Sequence, residues 1–162
     1  MRRVILWLVC LTLPIIVLDQ ITKWAAVKYL MAHDIALTPF LSLTLVYNTG
    51  AAFGFLNQAG GWQNLFFIGV ATTASVFILH LLYRHAGDNR WMAAALAFIL
   101  GGAIGNVIDR LLWSHVIDFI LVYYGSWRFP AFNVADSAIT IGAALLILDA
   151  FGIGSRKLRA ES

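Results

Sequence analysis

The chain has 162 residues, of which 61% are hydrophobic and only 12% charged, and its mean hydropathy is +0.83. That balance excludes an ordinary soluble domain and describes a single integral membrane domain, residues 1–162. The net charge of +3 comes without a basic stripe interleaved with aromatics, so no nucleic-acid partner is expected.

A hydrocarbon core of about 30 Å takes about 20 helical residues, and four stretches are long enough: about 4–24, 64–83, 91–110 and 134–151. The first follows Arg2-Arg3 and runs through Pro14 to Asp19 and Lys23 without a small-residue cleavage site, so it reads as a retained span rather than a removable leader. Cys10 within it is the only cysteine, which rules out an internal disulfide. In the long connection that follows, Leu41-Ser-Leu-Thr-Leu-Val-Tyr47 alternates apolar and polar side chains as a half-exposed strand does. The second span carries no charge. The third contains Gly101-Gly-Ala-Ile-Gly105, a small-xxx-small pattern that lets helices approach closely. Residues 119–124, Gly125-Ser126 and 127–129 then read as a hairpin. The expected fold is all-α and membrane-embedded, four transmembrane helices with a small outward-facing β-sheet. Aromatics crowd the two outer connections, as an interfacial belt does or as a platform over a site between the helices would.

Four spans put both termini on one side, and that side carries Arg2, Arg3, Arg84, Arg90, Arg156, Lys157 and Arg159, seven of the eleven basic residues. The positive-inside rule makes it cytoplasmic and turns the connections at about 25–63 and 111–133 outward. At a rise of about 1.5 Å per residue, Asp19, Lys23, Asn106 and Arg110 all lie roughly 23–29 Å from the inner boundary, near the outer face. Asp118 precedes the outer hairpin and Asp136 sits in the first turn of the fourth span, whereas Asp149 is about 20 Å deeper and suits snorkelling or capping. Asn48, Asp109 and Asn133 join the outer cluster.

Bland alternatives accompany these residues. Asp19 and Lys23 stand four apart and neutralise one another on a helix face. Arg110 has Asp109 and Asp19 as structural partners, and Asn133 is a natural N-cap for the fourth helix. The four histidines show no ligand spacing, so no metal and no cofactor is expected. Asp118 and Asp136 are harder to dismiss. A carboxylate against hydrocarbon costs several kcal/mol, and two of them beside turns on one side suggest a shared proton, the device by which aspartic peptidases activate water.

Five blocks in register, Asp19-Gln-x-x-Lys23, Asn48-Thr-Gly-Ala-Ala-Phe-Gly54, Gly101-Gly-Ala-Ile-Gly-Asn-Val-Ile-Asp-Arg110, Val116-Ile-Asp118-Phe119 and Phe132-Asn-Val-Ala-Asp136-Ser137, resemble the signature blocks of the bacterial lipoprotein signal peptidases, the type II signal peptidases. The resemblance covers nearly the whole chain. It implies an intramembrane aspartic endopeptidase of the bacterial inner membrane, with both termini cytoplasmic and its site near the outer leaflet. Such an enzyme removes signal peptides from diacylglyceryl-modified prolipoproteins, cutting just before the lipidated cysteine. It further implies Asp118 and Asp136 as the catalytic pair, and Asp19, Lys23, Asn48, Gly50, Gly105, Asn106, Arg110, Asn133 and Ala135 as residues that hold the pair or bind substrate. Membrane lipid and cyclic peptide antibiotics of the globomycin type are the other implied partners. Two rivals remain in view. A small proton-coupled transporter also keeps carboxylates in the membrane, though near the midplane and usually with repeated halves. A non-catalytic assembly subunit explains Gly101 and Gly105 but not the aspartates.

Overall fold

The computed structural model describes residues 1–50 and 62–152. Within them, α1 (Arg2–Trp7), a π-helical turn (Leu8–Thr12) and α2 (Leu13–Leu30) form one continuous helix. The π turn has a cause in Pro14, which lacks an N–H and crowds the carbonyl four residues earlier, so the ladder widens there. Strands β1 (Ile35–Thr38) and β2 (Leu41–Asn48) follow, then α3 (Trp62–His85), α4 (Arg90–Trp113), β3 (Val116–Tyr124), β4 (Trp127–Arg128) and α5 (Val134–Ala150).

Among the described residues three helices, Arg2–Leu30, Trp62–His85 and Arg90–Trp113, are long and apolar enough to cross a membrane. α5 has 17 residues, about 26 Å of helix. Large apolar side chains such as Leu18, Ile21, Val76 and Phe77 point outward and are about half exposed, as lipid-facing residues are and soluble cores are not.

α4 is the central post, packed against α2, α3 and α5. Small residues allow the α4–α5 contact: a Cβ on Gly142 would lie 2.6 Å from the Ala95 carbonyl oxygen, and one on Gly102 would collide with the Ala135 carbonyl. The buried cluster Val4, Leu82, Ala86, Ala93 and Leu96 closes one end of the bundle. Arg3 donates to the Gly87 carbonyl at that end (2.7 Å), and Asn89, the N-cap of α4, donates to Asp149 (2.7 Å). Asp149 therefore fastens α5 to the α3–α4 turn, far from the other aspartates.

At the opposite end the four strands form an antiparallel sheet in the order β1-β2-β3-β4. α4 ends at Ser114, whose left-handed φ of 63° turns the chain into β3, and Gly125 supplies the φ of +58° that the β3–β4 turn needs. The connections that carry the sheet depart from expectation in four places, the fourth being Asp118. β1 was not foreseen, α2 continues six residues beyond Trp24, and the second hairpin strand is only Trp127–Arg128. Asp118 lies inside β3, opposite Val46, rather than before the hairpin. The Asn48–Gly54 block lies outside the described residues from position 51 onward.

Candidate active site

Sheet register brings Asn48 to Asp118. Val46 pairs with Asp118, so Asn48, two residues on, is the diagonal neighbour on the same face, and its side-chain amide donates to Asp118 Oδ2 (3.0 Å). β3 also holds the segment leading into α5. Ile120 and Phe132 exchange backbone hydrogen bonds of 2.8 and 3.0 Å, which delivers Asn133 beside Asp118.

Asn133 is the hinge of the site. As N-cap of α5 its Oδ1 accepts from the Asp136 N–H (2.9 Å), and Asp136 Oδ2 accepts from the Asn133 N–H (3.2 Å), a closed capping box. Its Nδ2 donates to Asp118 Oδ1 (2.7 Å). One fully buried asparagine thus touches both aspartates. Asn106, on the inward face of α4, donates to Asp136 Oδ1 (2.8 Å). Each carboxylate therefore accepts on both of its oxygens, which fixes its orientation.

The two differ in environment. Asp118 is 2% exposed; burial, with the Asp136 charge facing it, pushes its carboxyl up to about 7, against the opposing pull of the Asn48 and Asn133 hydrogen bonds and of Lys23. Asp136 is only half-buried and stands in the first turn of α5.

Both aspartates line a cavity of about 940 Å³ together with Asn48, Asn106 and Arg110. It is also lined by Phe129, Pro130 and Phe132 and by Ile139 and Ile141 of α5, with Arg128, Ser137 and Thr140 as further polar groups. Arg110 reaches across to the Gly50 carbonyl (3.2 Å) and lies over the Phe67 ring (5.3 Å). It does not form the ion pair with Asp109 or Asp19 that was one alternative; those carboxylates are taken by Lys23.

Asp19, Lys23, Gly105, Asn133 and Ala135 gather around the site from behind the cavity wall. A Cβ on Gly105 would lie 2.6 Å from Asp19 Oδ2, so glycine there makes room for that carboxylate. Three participants were not singled out from sequence as site residues. Gln20 bridges Asp19 and Asp109, Asn64 donates to the Arg110 carbonyl (3.2 Å), and Arg128 lines the cavity. Their signal was only that of a polar side chain near a helix end, for Gln20 and Asn64, or in a hairpin, for Arg128.

The arrangement places two hydrogen-bonded carboxyls on the wall of one cavity. Known proteins sharpen the comparison. The sequence profile described as signal peptidase (SPase) II matches residues 11–152. A lipoprotein signal peptidase of Burkholderia mallei (strain SAVP1) is 55% identical over 142 residues, covering 86% of this chain and 84% of the relative. One from Paraburkholderia phymatum is 56% identical over 138 residues, covering 83% of this chain and 81% of that one. Among solved structures, a bacterial membrane enzyme determined by the in meso method superposes with a TM-score of 0.76 at 30% identity, covering 92% of this chain and 90% of that one. With a profile match across most of the chain and relatives this similar over most of their length, the chain belongs to the signal peptidase II family.

Proposed function

We propose that this protein removes the signal peptide from lipid-modified prolipoproteins, with Asp118 and Asp136 acting as an aspartic dyad. The observation that carries the reading is the pair of carboxyls on the cavity wall, joined through Asn133 and each bonded on both oxygens. Two carboxyls this tightly linked in a buried site do not both ionise. Burial favours the proton on Asp118, which leaves Asp136 as the carboxylate of the pair.

In the proposed reaction the Asp136 carboxylate takes a proton from the water held between the pair, and the water oxygen attacks the scissile carbonyl. Asp118 gives its proton to the carbonyl oxygen as negative charge develops there. The tetrahedral species collapses when the proton on Asp136 passes to the leaving nitrogen and a hydroxyl proton returns to Asp118. The C–N bond breaks, leaving a new carboxyl terminus on the signal peptide and a free amine on the lipidated cysteine. Arg110 and Asn48 line the wall where an extended backbone would lie, and a charged donor in a dry site binds a carbonyl more strongly than in water. The apolar wall of Ile139 and Ile141 suits acyl chains entering from the lipid. Cyclic peptides of the globomycin type would block the site by placing a hydroxyl between the carboxyls.

The excess of Lys and Arg at the end bearing Arg3 and the α3–α4 turn supports cytoplasmic termini and a site at the outer leaflet of the bacterial inner membrane. α5 serves as the fourth span, its N-cap at the outer interface. The proton-coupled transporter reading gains no support from relatives named as peptidases.

The test is purified protein in detergent with a diacylglyceryl-modified prolipoprotein peptide. Cleavage directly before the modified cysteine is expected, with no hydroxamate when hydroxylamine is added, because water attacks without an acyl-enzyme. A hydroxamate product, or no cleavage by folded protein, would contradict the reading.

A further inference from the structure

Behind the cavity wall, one ammonium group serves three acceptors. Lys23 Nζ lies 2.8 Å from Asp19 Oδ2, 2.9 Å from Asp109 Oδ2 and 2.9 Å from Asn106 Oδ1. Asp19, Lys23 and Asp109 are 0%, 1% and 1% exposed, and none lines the cavity. Gln20 closes the cluster, donating to Asp109 Oδ1 (2.9 Å) and Asp19 Oδ2 (3.2 Å).

The second bonds of the two carboxylates point to what the cluster does. Asp19 Oδ1 accepts the backbone N–H of Ala135 (2.9 Å). Asp109 Oδ2 accepts the backbone N–H of Ile117 (3.1 Å). Ala135 and Ile117 are the residues immediately before Asp136 and Asp118. Each buried carboxylate thus grips the chain one residue ahead of one aspartate of the pair, and a single cation holds the two carboxylates together. The third contact works in the same direction. Lysine only donates, so Asn106 Oδ1 must face Lys23 and its Nδ2 is left to face Asp136.

We propose that Lys23, Asp19 and Asp109 form a clamp that sets the spacing of the Asp118–Asp136 pair, with Asp109 a positioning residue for Asp118 and Asp19 one for Asp136. This rests on reading that pair as the catalytic dyad. Packing alone gives little reason for such a cluster, since buried ion triads are replaceable by apolar side chains at little cost or even a gain in stability. A clamp requires the charges, because its jaws are hydrogen bonds to two separate chain segments.

The experiment compares Asp109→Leu, Asp109→Asn and Asp118→Asn in purified protein, using a diacylglyceryl-modified peptide and melting temperature as the folding control. Releasing Ile117 lets Asp118 drift, and a misplacement of about 1 Å costs about 100-fold in rate. Asp109→Leu should therefore lose about 100-fold in kcat with KM unchanged to within about twofold, because no substrate contact is removed. Carboxyls farther apart repel less, so their two apparent pKa values approach and the bell-shaped pH profile narrows. Partial loss of folded enzyme scales the height of that profile and leaves its width alone. The charged groups nearest Asp118 are Asp136 and Lys23, with Arg110 and Arg128 on the cavity wall and Asp19 and Asp109 paired to Lys23 behind it. Asp109→Asn keeps an oxygen for the Ile117 N–H and should recover kcat to within about tenfold of wild type, with a smaller narrowing. If Asp109→Leu does not fold, Asp109→Asn is read alone, and an unaltered profile width overturns the clamp. A raised KM at unchanged kcat in either variant also overturns it, because the cluster would then be binding substrate. Should Asp118→Asn retain turnover, the dyad reading falls and the clamp with it; if Asp118→Asn is dead while Asp109→Leu turns over normally, only the clamp falls.

Discussion

Gly105→Ala adds a single methyl group at the point where α4 faces Asp19. The new Cβ would sit 2.6 Å from Asp19 Oδ2, 3.2 Å from its carboxyl carbon and 3.4 Å from the Ala135 Cβ. Reaching an ordinary contact of 3.4 Å from 2.6 Å requires a displacement of about 0.8 Å. Asp19 has no slack to give, since its oxygens are held by Lys23 at 2.8 Å and by the Ala135 N–H at 2.9 Å. Either those bonds stretch or α2 and α4 move apart. Overpacking of this size costs about 1–3 kcal/mol, so the melting temperature in detergent should fall by several degrees. Displacing Asp19 also frees Ala135 and with it Asp136, for a loss of about 10- to 100-fold in kcat. Cleavage of a lipidated peptide and thermal unfolding, measured on the same preparation, separate the two effects. Wild-type rate and melting temperature together in Gly105→Ala would refute the view that Asp19 is rigidly held against α4.

A second expectation concerns pH. The Asp118 carboxyl rises from 3.8 to about 7 on folding, so the folded protein holds this proton more tightly than the unfolded chain. Its contribution to stability is complete below 3.8 and lost as pH rises through about 7. In the proposed mechanism activity needs the same proton, so kcat/KM should decline as pH passes about 7. Asn48→Ala removes a donor to the ionised form and should move that limb to higher pH; movement to lower pH, or none, would contradict the assignment. Arg110→Lys loses the forked donor that spans to Gly50 and should lower kcat/KM by about 10- to 100-fold. Asp149→Asn, bonded to Asn89 at the other end of the bundle, should leave kcat/KM near wild type. Equal losses at the two positions would contradict the depth assigned to the site.

Much of the site is legible in the chain because ionisable residues in a membrane segment turn away from lipid. Depth along the helices alone groups Asp19, Lys23, Asn106 and Asp136 at one end and sets Asp149 apart. What depth cannot give is rank within the cluster. Lys23 and Asp19 lie behind the wall, whereas Asn106 and Arg110 line it, and that distinction depends on the rotation of α2 against α4. Lipid-facing and protein-facing sides of these helices are equally apolar, so no periodicity reveals the rotation. Asp109 matters through the Ile117 backbone N–H that it accepts, and Gln20 through the Asp19 and Asp109 carboxylates it bridges; neither partnership carries a sequence signal. β1, four residues long with a register shift within it, is too short for alternation to mark. The place of Asp118 inside β3 follows from pairing with β2, a long-range contact that the local Val-Ile-Asp-Phe run does not disclose.

The central claim is that Asp118 and Asp136 act as one unit on water, and the direct measurement is single-turnover cleavage of a diacylglyceryl-modified peptide by Asp118→Asn, Asp136→Asn and the double variant. Asn keeps the shape of Asp but cannot exchange the proton. Each single variant should abolish cleavage while retaining a wild-type or higher melting temperature, and the double variant should be scarcely slower than either. Near-normal turnover in either folded single variant, or losses that multiply in the double, would contradict it.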